Sequence, residues 1–350
     1  MTSKIIMKTY KKTSDIKVGV IGYGGAFNMG RQHLKEMQAA GMSPVAVAEI
    51  DSARLAAATD DFPGIETYAS VSAMLKGSAV NLVVIITPHN THAKLAIECL
   101  KAGHHVVCEK PLAITTAEVD DMIRAAKASG VMLSTYHNRH WDGRIRLAVD
   151  LVRRRRVIGD VFRIECHMGA YSQPGDWWRT SRTVSGGVLY DWGVHLLEYS
   201  LQLIDAPVWE VSGFAHEGFW APKTKWKDDA NEDEGFLVVR FEGSQWLTLS
   251  ITHLDSKPKE GWLEVTGTKG TLVFDGEHTT TYQHLKGRTV ATRLKNPTDE
   301  GFRYYENIAD FLTGSAPLVI TPEWSRRPIH ILDLAARSAR SGKALAAKYG

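Results

Sequence analysis

The chain has 350 residues, of which 44% are hydrophobic and 23% are charged, and its formal net charge is +3. The length suits two domains of ordinary size, and the small net charge argues against general attraction to nucleic acid or membranes. Three cysteines without a Cys-x-x-Cys pair suit a reducing compartment, and no apolar run is long enough to cross a bilayer. Residues 1–15 show no secretory pattern, so we expect a flexible tail and a cytoplasmic protein.

Short apolar strands alternate with longer amphipathic stretches between residues 16 and 138. The predicted strands are 17–22, 45–49, 81–87, 105–109 and 131–136. The predicted helices are 29–40, 93–102 and 117–129. Nearly continuous apolar strands separated by helices are typical of a parallel sheet covered on both faces. We therefore predict an α/β domain of the dinucleotide-binding type.

After about Trp141 the pattern changes to strands of alternating polarity separated by turns. The predicted strands are 161–167, 236–241, 246–252, 262–266 and 271–274, and the predicted helices are 189–204 and 330–347. Such alternation favours a half-buried antiparallel sheet. We predict an α+β domain over 139–350, with the acidic segment 228–234 in a loop.

One run of basic residues, Arg153–Arg156, follows an apolar helical pattern. A nucleic-acid-binding patch is one interpretation of such a run. The exposed end of a helix is the favoured one, because cations are stabilised near a helix C-terminus. We therefore expect neither nucleic acid nor a membrane as a partner.

A glycine-rich loop, Gly22-Tyr23-Gly24-Gly25-Ala26-Phe27, joins the first predicted strand to the first helix. Glycines in such a loop allow backbone N–H groups to approach a pyrophosphate. Phe27 occupies the place of the third glycine of Gly-x-Gly-x-x-Gly, so a plain glycine turn stays open as an alternative. The predicted cofactor contacts in this loop are Gly22, Gly24, Gly25, Ala26 and Phe27.

The acid Glu49 ends the second predicted strand. A carboxylate there can accept hydrogen bonds from a ribose diol and repel a 2′-phosphate, which favours NAD over NADP. Asp51 is an alternative residue for this role, and Arg54 would weaken the discrimination between NAD and NADP. Capping of the following helix is the structural alternative for an acid at this position.

Two further segments carry ionisable side chains in a pattern that suits proton transfer. Glu109-Lys110-Pro111 ends a strand, and Asp191 and His195 are four residues apart, on one face of the predicted helix 189–204. A histidine can take the proton of a hydroxyl group while a nicotinamide takes the hydride. Lys110 alone suits a solvated lysine and His195 alone a core histidine, so this prediction depends on their combination.

These segments resemble the glucose–fructose oxidoreductase / inositol dehydrogenase / MocA family. The matching residues are Val18 to Gly24, Glu109-Lys110-Pro111 and Gly186-Gly187-Val188-Leu189-Tyr190-Asp191-Trp192-Gly193-Val194-His195, with further matches at Thr87-Pro88, Trp178-Arg179 and 266–272. The resemblance covers nearly the whole chain from Ile16. It implies a Rossmann domain over 16–138, then an α+β domain with a large, open, mainly antiparallel sheet. It also implies a nicotinamide cofactor and a sugar or polyol substrate.

Roles for individual residues follow from the resemblance and from their positions. Lys110 would polarise the reacting oxygen, and His195 would exchange the hydroxyl proton. Asp191 would orient the histidine or relay the proton. The remaining expected cofactor contacts are Thr87, Pro88, His89, Glu109 and Lys110. The expected substrate contacts are Tyr136, Asn138, Trp178, Arg179, Asp191 and His195. Gly30 and His33 match the family's third glycine and following histidine, which leaves an insertion of about three residues after Gly24.

We expect an NAD(P)-dependent oxidoreductase that oxidises a secondary hydroxyl of a sugar, glycoside or cyclitol. The cofactor would be NAD, with NADP as the alternative, no metal is expected, and the resemblance implies a homodimer or homotetramer. An NAD-using sugar lyase or glycosidase with transient ring oxidation would use the same side chains. A non-catalytic sensor of sugar or dinucleotide is less favoured, since it has no need of Lys110, Asp191 and His195 together. A metal-dependent isomerase is disfavoured because no ligand spacing is present.

Overall fold

The computed structural model describes residues 7–24 and 27–348, and the chain forms two compact units. The first unit comprises residues up to His137 together with Phe302–Arg327. The second comprises Asn138–Gly301 and the residues from Pro328 onward. The predicted boundary after residue 138 lies beside this division, but the prediction of one continuous domain over 139–350 did not include the return of Phe302–Arg327 to the first unit.

A six-stranded parallel sheet forms the centre of the first unit. Its strands are β1 (Lys17–Ile21), β2 (Ser43–Ala48), β3 (Glu66–Tyr68), β4 (Leu82–Ile85), β5 (His105–Cys108) and β6 (Leu133–Thr135). The spatial order β3-β2-β1-β4-β5-β6, with every pair parallel, is the order of dinucleotide-binding sheets. The predicted α/β Rossmann architecture is confirmed.

Five helices alternate with these strands: α1 (Met29–Ala39), α2 (Ser52–Asp61), α3 (Val71–Gly77), α4 (His92–Lys101) and α5 (Thr116–Ser129). Local signals define α5 clearly. The Thr115 hydroxyl accepts the N–H of Glu118, whose carboxylate accepts the N–H of Thr115, so the two residues form a capping box. The helix ends at Gly130, which has a φ of 64°.

A nine-stranded sheet dominates the second unit, in the order β14-β13-β12-β11-β7-β10-β9-β8-β15. Its strands are β7 (Val161–Gly169), β8 (Val208–His216), β9 (Glu234–Phe241), β10 (Trp246–Thr252), β11 (Leu263–Gly267), β12 (Gly270–Phe274), β13 (His278–Leu285), β14 (Arg288–Lys295) and β15 (Leu345–Ala346). Strands β7 and β10 are parallel, and the other neighbouring pairs are antiparallel. This confirms the prediction of a mainly antiparallel sheet.

Three helices precede or interrupt this sheet: α6 (Gly143–Val149), α7 (Arg182–Ser185) and α8 (Leu189–Leu201). Helix α8 packs against β10 and β7. On β10, Leu247 and Leu249 are buried, whereas Thr248 and Ser250 are half-buried. The period-2 pattern therefore places the apolar side chains beneath α8 and the polar ones on the other face of the sheet.

Two helices follow β14, namely α9 (Arg303–Leu312) and α10 (Pro322–Ser341). The predicted helix 330–347 is wrong at both ends. It starts too late because Pro328, inside α10, suggests a helix boundary in the sequence. It ends too late because Gly342 has a φ of 66° and terminates the helix, after which β15 pairs with β8.

The basic run Arg153–Arg156 lies on the surface and begins within the short π-helical turn Asp150–Arg154 that follows α6. Three of its members form exposed ion pairs: Arg153 with Asp205, Arg155 with Asp150 and Arg156 with Asp160. This agrees with its interpretation as an exposed helix end. Within residues 7–24 and 27–348, no helix combines the length and apolar character needed to cross a membrane.

Candidate active site

The loop after β1 approaches its neighbours so closely that it requires glycine. Gly22 has a φ of 93°, and a Cβ there would lie 2.2 Å from the carbonyl oxygen of Ile86. A Cβ on Gly30 would lie 2.8 Å from the ring of Tyr23, so this glycine lets α1 pack against the loop. Phe27 is 58% exposed. Two of the predicted cofactor contacts, Gly25 and Ala26, lie outside the described residues.

Glu49 follows β2 directly and is only 7% exposed. One carboxylate oxygen accepts the N–H of Tyr23 at 2.7 Å. The other accepts the N–H groups of Ile50 at 2.7 Å and Asp51 at 3.1 Å. Glu49 therefore anchors the glycine loop to the end of β2, in addition to occupying the position expected of a ribose ligand.

Asp51 has a different role, because its carboxylate accepts the N–H of Ala53 and caps α2. Arg54 lies between the two acids, with Nη1 3.8 Å from Glu49 and Nε 3.6 Å from Asp51. A Cβ on Gly24 would lie 3.2 Å from Cδ of Arg54. A guanidinium group therefore stands beside the glycine loop at the end of β2.

The loops after β4 and β5 are joined by a buried histidine, His92. Its Nδ1 lies 2.8 Å from the carbonyl oxygen of Pro111, and its Nε2 lies 2.8 Å from that of Thr87. Burial lowers the pKa of His92, although both carbonyl groups oppose this shift. His89 is buried nearby, with its ring 5.7 Å from that of His92. The predicted cofactor contacts Thr87, Pro88 and His89 thus belong to a tightly held turn.

Glu109 and Lys110 follow β5, and the Lys110–Pro111 peptide bond is cis. Oε1 of Glu109 lies 3.0 Å from Nε2 of His33, and Oε2 accepts the N–H of Lys110 at 3.0 Å. Burial would raise the pKa of Glu109, but the hydrogen bond from His33 and the charge and backbone N–H of Lys110 lower it overall. The carboxylate of Glu109 is therefore engaged within the first unit, and Lys110 is half-buried.

Tyr136 does not fit its predicted role in substrate binding. It is 2% exposed, its hydroxyl donates to Glu36 at 2.6 Å, and its ring lies 4.2 Å from that of His33. These contacts place it in the core of the first unit. A buried side chain with its hydroxyl already bonded is inconsistent with direct substrate contact, so we exclude Tyr136 from the proposed site.

In the second unit, a glycine turn leads into α8. Gly187 has a φ of 126°, and a Cβ there would lie 2.9 Å from a carboxylate oxygen of Glu232. The same oxygen accepts the N–H of Val188 at 2.9 Å. Glu232 thus satisfies a backbone donor at the start of α8 and holds the helix that carries Asp191 and His195.

A cavity of about 380 Å³ lies beside this turn, a size typical of a small-molecule site. The residues that define its chemistry are Trp177, Arg179, Asp191, Trp192, Asn231 and His253. The side chain of Asp191 is 37% exposed, and its Oδ1 lies 3.7 Å from Nε of Arg179. The guanidinium group of Arg179 also lies 4.8 Å from the ring of Trp177 and 4.3 Å from that of Trp178.

His195 lies one turn after Asp191 on α8 and is 5% exposed. Its ring meets that of Trp192 edge-on at 5.5 Å, and Arg139 lies 4.9 Å from the same indole ring. Neither His195 nor Asn138 is among the described residues that line the cavity. The imidazole of His195 therefore contacts the wall residue Trp192 without being one of the described lining residues itself.

Two of the predicted substrate contacts, Arg179 and Asp191, line the cavity, whereas the predicted Trp178 is not among its described lining residues. Trp177 lines the cavity, whereas Trp178 contributes by stacking on Arg179. Asn231 and His253 were missed. Asn231 lies in the segment predicted as an acidic loop, and His253 directly follows β10, a polar residue at a strand end that offered a signal. Burial lowers the pKa of His253, partly opposed by the charge of Asp233.

Comparison with known proteins places this chain in a family. Residues 16–137 match the family described as an oxidoreductase family with an NAD-binding Rossmann fold, and residues 146–273 match the GFO/IDH/MocA C-terminal domain. The chain belongs to the Gfo/Idh/MocA oxidoreductase family. Its first unit is accordingly an NAD-binding Rossmann domain, as predicted.

Inositol dehydrogenases are among its relatives. The chain is 30% identical over 208 residues to scyllo-inositol 2-dehydrogenase (NADP(+)) of Bacillus subtilis, covering 58% of this chain and 55% of that protein. It is 28% identical over 268 residues to myo-inositol 2-dehydrogenase of Thermotoga maritima, covering 76% and 77%. The solved structure of an NAD-binding protein from Listeria innocua superposes with a TM-score of 0.79 at 26% identity, covering 95% of this chain and 97% of that one. The chain thus spans about half the length of the first of these relatives.

Proposed function

We propose that this protein is an NAD(P)-dependent dehydrogenase that oxidises a secondary hydroxyl of a sugar, glycoside or cyclitol. The observation that carries the proposal is the cavity beside α8, whose lining includes Asp191 and Arg179, 3.7 Å apart, together with Trp177 and Trp192. Aromatic faces pack against the C–H surfaces of a sugar ring, and charged and amide groups hydrogen-bond its hydroxyls. The names of the two inositol dehydrogenases support the same substrate class.

The first unit fits a nicotinamide dinucleotide. The loop at Gly22 approaches its neighbours more closely than any side chain would allow, and Glu49 fixes that loop through the N–H of Tyr23. Backbone N–H groups of this loop would bind the pyrophosphate, and Glu49 and Arg54 would face the ribose. A bound nicotinamide supplies hydride acceptance.

We assign the transfer of the substrate hydroxyl proton to three side chains. The imidazole of His195 would take the proton of the substrate hydroxyl, and Asp191 would orient the histidine or relay the proton. Lys110 would polarise the reacting oxygen. The four-residue spacing on α8 supports the first two assignments, because it puts both side chains on one helical face. Lys110 enters the proposal through the Glu109-Lys110-Pro111 motif.

A panel of polyols tests the proposal. Purified protein is assayed for NADH and NADPH formation with myo-inositol, scyllo-inositol, common hexoses and their methyl glycosides. We expect NADH formation with at least one of these, and loss of turnover by about 10²- to 10⁴-fold in Lys110→Met, Asp191→Asn and His195→Gln with NADH binding retained. Product formed without NADH accumulation would overturn net oxidation in favour of transient ring oxidation. Unchanged turnover in a variant would overturn the role of that residue.

The proposal extends to a homodimer or homotetramer formed through the open sheet face. Trp246, Phe214 and Tyr282 are exposed, and each lies next to one buried residue along its strand. Exposed aromatic side chains of this kind are typical of protein interfaces. Light scattering after size-exclusion chromatography should give a mass of two or four chains, reduced by Trp246→Glu; a monomer in the wild type would contradict this part.

A further inference from the structure

We propose that His33 and Tyr305 are positioning residues for Lys110 and act through Glu109. The inference rests on the proposed role of Lys110 in catalysis. All four residues belong to the first unit. His33 and Tyr305 are buried inside it, so they would influence the reaction through the backbone that carries Lys110.

The evidence begins with the two ring nitrogens of His33. Nδ1 lies 2.5 Å from the hydroxyl oxygen of Tyr305, and Nε2 lies 3.0 Å from Oε1 of Glu109. His33 is 0% exposed, so neither nitrogen can exchange these partners for water. Both hydrogen bonds therefore constrain the orientation of the imidazole and of its two partners.

The direction of these hydrogen bonds follows from the chemistry of the partners. Burial raises the pKa of Tyr305 far above its ordinary value, so the phenol keeps its proton. Because the carboxylate oxygen of Glu109 can only accept, Nε2–H of His33 donates to it, and the Tyr305 O–H donates to Nδ1. The other oxygen of Glu109 accepts the N–H of Lys110. A continuous series of hydrogen bonds thus runs from Tyr305 to the backbone of Lys110.

The backbone is also held on the other side of Lys110. The carbonyl oxygen of Pro111 lies 2.8 Å from Nδ1 of the buried His92. Two buried imidazoles therefore flank Lys110, one bonded to the residue before it and one to the residue after it. Because the reacting groups of an enzyme must be placed within a fraction of an ångström, loosening one anchor should cost turnover.

The chain contains a matched control for this idea. Tyr304 precedes Tyr305 on α9, is equally buried, and has its hydroxyl 2.9 Å from Oγ of Ser134. Tyr305→Phe and Tyr304→Phe each remove one buried phenol hydroxyl from the same helix. Tyr305→Phe also removes the donor to His33, whereas Tyr304→Phe leaves that hydrogen bond intact.

The test compares these variants in the full chain by two measurements. The first is kcat and KM for NAD with the best polyol of the panel. The second is the rate at which acetic anhydride acetylates the Lys110 amine, followed by mass spectrometry of the Lys110 peptide. We expect Tyr305→Phe to lower kcat by about 10- to 100-fold with KM for NAD nearly unchanged, and to alter Lys110 acetylation. Tyr304→Phe should change neither quantity by more than about twofold.

Two substitutions at His33, one conservative and one not, provide a second test. His33→Gln retains an amide donor for Glu109, whereas His33→Leu does not, so His33→Gln should keep more turnover and more native-like Lys110 acetylation. If Tyr305→Phe fails to fold, this pair decides the question. Equal turnover and acetylation in Tyr305→Phe and Tyr304→Phe, or in the two His33 variants, would overturn the inference. Full turnover in Lys110→Met would instead overturn the catalytic role of Lys110, while the acetylation comparison would still test positioning.

Discussion

A carboxylate oxygen of Glu232 accepts the backbone N–H of Val188 at 2.9 Å and so joins an acidic loop to the start of α8. Glu232 also lies 3.5 Å from Nε of Arg182. The first turn of α8 carries Asp191, whose side chain reaches the cavity. The position of a cavity carboxylate thus depends on a residue about forty positions further along the chain.

Replacing Glu232 with Ala should loosen this turn. The N–H of Val188 would lose its acceptor, which costs about 1–3 kcal/mol of stability for a buried group. Turnover should fall by about tenfold or more as Asp191 becomes less ordered. Glu217→Ala is the matched control, because Glu217 pairs with Arg182 without contacting Val188. Equal melting temperatures and equal turnover in the two variants would contradict this role.

Gly187→Ala should damage the same turn by steric conflict. The new Cβ would lie 2.9 Å from the Glu232 carboxylate, at a φ of 126° that is unfavourable for alanine. Gly218→Ala separates the two effects, because Gly218 has a φ of 98° but no atom within 4 Å of the added Cβ. We expect Gly218→Ala to cost about 1–2 kcal/mol of unfolding free energy and Gly187→Ala distinctly more. Denaturant titrations of both variants measure this difference.

The stability of the first unit should depend on pH through His105. Burial, assisted by the charge of Lys8, lowers the pKa of this fully buried imidazole from 6.5 to about 4. Between these values the unfolded chain binds a proton that the folded chain refuses, so the unfolding free energy falls as the pH drops from 6.5 to 4. The contribution of His105 approaches about 3 kcal/mol at the acid end.

The free energy of unfolding, measured across this pH range, should therefore change less steeply with pH in His105→Asn than in the wild type. The asparagine oxygen can still accept the N–H of Met132, which now bonds to Nδ1 of His105. The exposed His284→Asn is the control and should keep the wild-type slope. Parallel curves for the wild type and His105→Asn would show that His105 titrates normally in the folded protein.

If the proposed cofactor role is right, Arg54 should determine how well the protein accepts NADP in place of NAD. Its guanidinium group lies beside Glu49 and Asp51, where it would partly offset their repulsion of a 2′-phosphate. Arg54→Ala should lower kcat/KM for NADP by about tenfold, equivalent to about 1.4 kcal/mol, with little change for NAD. Arg31→Ala removes an equally exposed arginine that pairs with Asp61, and it should leave the ratio unchanged. A constant NAD-to-NADP ratio in Arg54→Ala would exclude this role.

The elements that the sequence revealed are those with a strong hydrophobic pattern. Strands β1, β4 and β5 are almost continuously buried, so their apolar runs were visible without a structure. Strand β14 is exposed along nearly its whole length and forms the edge of its sheet, so it has no alternation to detect. Helix α2 was missed for a similar reason, since Ala58 is its single buried residue.

The helical placement of two candidate residues needed only one local spacing. Asp191 and His195 are four residues apart and both lie on α8, but Asp191 alone of the pair is among the described residues that line the cavity, and their roles stay predictions. Whether Trp177 or Trp178 lines the cavity depends on the short 3₁₀ turn Trp178–Thr180, which leaves no pattern in the sequence. The burial of Tyr136 depends on contacts with α9, far along the chain.

The return of Phe302–Arg327 to the first unit has a consequence for recombination between relatives. A polypeptide cut after His137 would leave the Ser134 hydroxyl without Tyr304 and the carbonyl oxygen of Ile320, and Asp120 without Arg326. A gene exchange with a single junction would therefore separate a cofactor module from part of its own interior. Chimaeras with a changed nucleotide preference should need two crossovers, because the two units of this chain are interleaved along its sequence.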